Sequence, residues 1–182
     1  DGILLEKSIL LISGKPKLGK SMLAYDFALS ISSGKNFAGF KIKQAKKVLI
    51  LSAEGGFYPN RERLKVKCKS KHIDNPLMSV TFNPKLLIDE DTGYVILKGI
   101  IEAYTPDVLI IDPLVRFHRQ DENNATGIAK IFGSLRELID DYNQSMILIH
   151  HLGKIESNGP RGSSAILGEY DSHICMTGSI KS

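Results

Sequence analysis

The chain has 182 residues, 42% of them hydrophobic and 24% charged, and carries a net charge of +4. That supplies one complete core and is too short for two ordinary domains, so residues 1–182 are read as a single domain. No apolar run approaches the roughly 18 residues of a membrane span, and the distant Cys68 and Cys175 suggest neither a disulfide framework nor a zinc cluster.

The first run, Ser8 to Ser13, is dominated by Ile and Leu and enters SGKPKLGKS, which reads as a buried strand running into a loop. From Ser21 to Ser33, Leu23, Ala24, Phe27, Ala28 and Ile31 recur at helical spacing, and Gly34 supplies a stop. A second buried strand follows at Val48 to Ala53. After Pro59 the basic run Asn60 to Lys69 tolerates helix, and Leu77 to Phe82 is a weaker strand.

Thr92 to Tyr104 places Tyr94, Leu97, Ile101 and Tyr104 on one side of a helix, and Pro106 separates it from the strand Asp107 to Asp112. A long helix then carries Ile128, Phe132, Leu135, Ile139 and Tyr142 along one stripe, before the strand Ser145 to His151. Lys154 to Ser164 is polar and glycine-rich, and Ser172 to Thr177 is one further strand candidate. Strands apolar on both faces, separated by helices, predict an α/β fold of three layers around a mostly parallel sheet.

Gly14, Gly19, Lys20 and Ser21 satisfy G-x-x-x-x-G-K-[ST] between a predicted strand and a predicted helix. The glycines let the backbone curl so that successive N–H groups face phosphate oxygens, and the helix N-terminus adds partial positive charge. The whole stretch Gly14, Lys15, Pro16, Lys17, Leu18, Gly19, Lys20, Ser21 and Met22 is therefore the candidate cradle for ATP. Lys20 is expected on the β and γ phosphates and the Ser21 hydroxyl on Mg2+.

Such a site also needs a carboxylate at the end of a neighbouring strand, and Asp112 emerges at the carboxyl edge of VLIID as a second Mg2+ contact. Asp107, at the other end of that strand, reads as a solvated turn residue. Glu54 follows VLILSA at another carboxyl edge and is the candidate group that orients or deprotonates water; the rival is a surface glutamate opening the Gly55-Gly56 turn. His150 and His151 close their strand facing opposite ways, so at least one should meet the crevice. Alternation alone does not say which.

The blocks SGKPKLGKSMLA, LSAEGGFYPNRERL, VLIIDPLVRF, ILIHHLGK and RGSSAILGEYD resemble the RecA-like ATPases of the plasmid RepA type, hexameric replicative helicases, with DnaB helicases and KaiC/RadA-type proteins as more distant relatives. The resemblance implies a RecA-like P-loop fold, Glu54 as catalytic glutamate and the histidine pair as γ-phosphate sensor. It also implies a loop, Gly153 to Ser164, in which Lys154 and Arg161 contact single-stranded DNA, and a ring-shaped homo-oligomer. The family carries an arginine soon after R-G-S-S-A; here that neighbourhood reads GEYDSHICM and holds none.

RFHR, Arg116 to Arg119, combines two arginines with an aromatic and an imidazole, a mixture that suits DNA contact, a subunit interface or plain surface. A sequence pI near 9.0 favours an anionic partner and equally fits solvated lysines. A cytoplasmic setting is expected, and the start at Asp1 reads as a piece of a longer chain. A nucleotide-switched assembly protein stays open beside the motor, while a small-molecule kinase would need a lid that only the basic stretch near Lys154 suggests.

Overall fold

The computed structural model describes residues 2–151, 166 and 168–178. The elements run β1 (Ile9–Gly14), α1 (Lys20–Ser33), β2 (Val48–Ser52), α2 (Phe57–Ser70), β3 (Met78–Phe82), α3 (Asp91–Tyr104), β4 (Val108–Asp112), a short 3-10 turn (Leu114–Arg116), α4 (Ala125–Tyr142), β5 (Ser145–His151) and β6 (Ser172–Met176). The strands form one six-stranded sheet in the order β3-β2-β4-β5-β1-β6. Every pairing within it is parallel.

Period-two alternation divides the strand residues between two cores. Leu10, Ile12, Val48, Ile50, Val108, Ile110, Ile147 and Ile149 face α1, packing on Ala24, Tyr25, Phe27, Ala28 and Ile31. Their neighbours Ile9, Leu11, Leu49, Leu51, Leu109, Ile111, Met146 and Leu148 face α3 and α4 and meet Leu97, Ile101, Ile128, Phe132, Leu135 and Ile139. The continuous apolar runs in the central strands are explained by this double burial. Each such side chain contributes roughly 1.5–3 kcal/mol by leaving water.

α4 shows how locally the sequence decides. Asn124 caps it, its Oδ1 accepting the Gly127 N–H at 3.2 Å, and Asn143 ends it in the left-handed region at φ 51°. α2 is the opposite case, with Asn60 its only buried residue. It begins at Phe57, ahead of the expected start after Pro59, because a proline in the first turn lacks only an N–H that has no helical partner anyway. The weak strand candidate becomes β3, a half-buried edge.

The chain leaves β1 towards α1 on one sheet face and leaves β4 towards α4 on the other. Connections departing to opposite faces open a crevice at the carboxyl edge of the sheet, where ligands of parallel α/β folds bind. Among the described residues no helix is long and apolar enough to cross a membrane. Cys68 and Cys175 are both free thiols.

Candidate active site

The loop after β1 is shaped by two glycines with different physical duties. A Cβ at Gly14 would stand 2.7 Å from the Met176 carbonyl oxygen of β6, so the strand pair can close only over glycine. Gly19 sits at φ 87°, a conformation that costs other L-residues, and turns the chain into α1. The Leu23 N–H donates to the Gly19 carbonyl at 2.9 Å, so the amides of Lys20, Ser21 and Met22 stand at the helix N-terminus without intrahelical acceptors. This is the anion-receptive geometry the spacing predicts.

Lys20 is 4% exposed, and its Nζ donates to the carbonyls of Gly14 and Lys15, each at 2.8 Å. Burial pulls its pKa below the ordinary lysine value, while Asp112 and Glu54 oppose that fall. The ammonium is thus held inside the loop, facing two carboxylates.

Asp112 ends β4 with the same parity as Val108 and Ile110, which brings it to the α1 face. Its Oδ1 accepts the Ser21 hydroxyl at 3.1 Å. Burial raises its pKa to about 6, helped by Glu54 and countered by the Ser21 hydrogen bond and by Lys20. A buried carboxylate so poorly compensated by its neighbours fits a cation. Ser21 and Asp112 offer hard oxygen donors side by side, the set that suits Mg2+ when phosphates and water complete its shell. Among the described residues no cluster of three or more His, Cys, Asp or Glu is placed to hold a metal ion.

Glu54 leaves β2 through a turn pinned by its own carbonyl, which accepts from Ser52 Oγ at 3.3 Å and Asn60 Nδ2 at 3.2 Å. Its Oε2 lies 3.7 Å from His151 Nε2, and its Oε1 lies 3.3 Å from Arg116 Nε. His151 pairs in register with Gly14, at the lip of the cradle. Burial, then the charge of Lys20, hold its pKa below the ordinary histidine value, with Glu54 opposing.

His150 shares parity with Met146 and Leu148 and turns to the α4 face, where its Nδ1 is 3.5 Å from Glu122 Oε1. The structure thus answers what alternation left open: His151 joins the crevice, and His150, expected as a candidate beside it, does not. Lys15, Pro16 and Lys17 form the exposed outer arc of the loop, with Leu18 half-buried. Arg119 pairs with Glu90 at 2.9 Å and Arg116 with Glu54 at 3.3 Å, each across an exposed surface pair. Lys154 and Arg161 lie outside the described residues.

Sequence reasoning missed Ser52, Asn60 and Glu122. Asn60 is the buried residue of α2, and no local pattern in the sequence marks it as such. A cavity of about 530 Å3 opens at the amino edge of the sheet between residues 2–7 and 37–46, and no candidate site residue lines it.

A family model described as an AAA domain matches residues 1–157. The chain belongs to that family. As an AAA domain it is a nucleotide-binding ATPase domain with a RecA-like P-loop fold, and the convergent residues, Gly14 through His151, all fall within the matched span. No curated protein matches the chain.

Proposed function

We propose that this AAA domain is a Mg-dependent ATP hydrolase of the plasmid RepA replicative-helicase type, working on single-stranded DNA as a hexameric ring. The observation that carries the hydrolytic part is the approach of Glu54 to His151 at 3.7 Å, beside the Lys20 loop. A carboxylate there can orient or deprotonate the attacking water, and a neutral imidazole can donate to the γ-phosphate. Lys20 would neutralise the transferring phosphoryl group, while Ser21 and Asp112 would hold Mg2+. The metal, when bound, supplies charge neutralisation of the β and γ oxygens. The helicase part is supported by the five sequence blocks resembling the RepA type.

The arginine-free stretch GEYDSHICM favours a second reading, a nucleotide-switched DNA-binding or assembly protein without translocation. Strand displacement on a forked DNA separates the two. A motor unwinds it with turnover that rises with single-stranded DNA and protein concentration; a switch binds ATP and unwinds nothing. Turnover that is fast, flat with concentration and indifferent to DNA contradicts the motor.

A further inference from the structure

A second cavity, about 460 Å3, opens at the carboxyl edge directly beside Glu54. Ala53, the residue before Glu54, forms part of its wall, and Lys85, Arg116 and Arg119 bring three cationic side chains to its lining against the single acid Glu90. Leu86, Leu87 and Ile96 give it apolar surface. Cations around an apolar floor suit a strand that alternates phosphates with flat base and sugar faces.

Arg116 belongs to this cavity and to the candidate base at once. Its Nε lies 3.3 Å from Glu54 Oε1, with the arginine side chain 62% and the glutamate 43% exposed. Ion pairs so open to water contribute little, whereas a phosphate offers a guanidinium a stronger charge-assisted, two-pronged contact. Arg119 is held by Glu90 across an equally open surface pair. Both arginines can therefore exchange a weak carboxylate partner for a phosphate.

We infer that this cavity binds the backbone of single-stranded DNA and that its phosphate draws Arg116 off Glu54, freeing the Oε1 oxygen for water. The inference rests on the reading of Glu54 as the hydrolytic carboxylate. It gives that reading a regulator: without DNA the arginine occupies one oxygen of the base, and with DNA it does not.

The test uses a fluorescein-labelled oligothymidylate, read by anisotropy, and ATP turnover with and without that oligonucleotide. Lys85→Glu should weaken oligonucleotide binding by about fivefold or more while leaving DNA-free turnover unchanged. Arg116→Ala should weaken binding likewise, raise DNA-free turnover by about threefold or more, and abolish stimulation. Wild-type-like binding by both variants overturns the cavity as a DNA site. Weakened binding with DNA-free turnover unchanged or lowered in Arg116→Ala overturns the exchange. A wild-type protein that never turns over ATP sinks the hydrolytic reading, and the exchange with it, while anisotropy still decides the cavity.

Discussion

The Ser21 hydroxyl donates to Asp112 Oδ1 at 3.1 Å, joining two residues 91 positions apart across the carboxyl edge of the sheet. One comes from the first turn of α1 and the other from the last residue of β4. The strand between them in the sheet, β5, ends in His151, so the loop, the acid and the imidazole meet around one crevice.

Asp112 is predicted to make the protein less stable as pH rises. Its folded-state pKa of about 6 lies above the ordinary aspartate value of 3.8, so the stabilisation by its protonated form is complete below pH 4 and is lost as pH passes through 6. Such a rise corresponds to roughly 3 kcal/mol. Without nucleotide, Asp112→Asn should therefore be more stable than the parent by about 2 kcal/mol at pH 8 and near-equal at pH 4. Urea melts at both pH values check this, and a variant less stable at pH 8 contradicts it. The proton also competes with Mg2+, so Mg-ATP affinity should fall as pH drops below 6.

Glu54→Gln is predicted to retain Mg-ATP binding and lose hydrolysis by about 10²-fold or more, the scale of a general base. Single-turnover assays beside calorimetry measure the two separately. Retained turnover would assign the water to another group.

The two histidines should separate cleanly. His151→Ala is expected to lower kcat by about tenfold to a hundredfold with an unchanged melting temperature, since it meets only the site. His150, 1% exposed among the α4 contacts, should instead cost about 1–3 kcal/mol of stability when replaced by alanine. Thermal melts and ATPase rates together read this out, and a reversed pattern contradicts the facing assigned to the pair.

The three-layer architecture was legible in the sequence because central strands such as Val108 to Ile111 are apolar on both faces, which only a sheet covered on two sides permits. Gly14, Lys20, Ser21 and Asp112 were legible because their chemistry fixes their spacing or their place at a strand end. The choice between His150 and His151 was not, since parity decides it only once Ile147 and Ile149 are known to face α1. Arg116 against Glu54, and Asn60 against the Glu54 carbonyl, were hidden for a related reason. Both contacts depend on how the loops after adjacent strands fold over one another, and no local periodicity records that.

Calorimetric titration of the folded protein with Mg-ATP, beside the same titration of Lys20→Ala, tests the nucleotide cradle most directly. One-site binding by the parent and its loss in the variant, with circular dichroism unchanged, is the predicted result. No heat from the folded parent, or equal affinity in the variant, would contradict it.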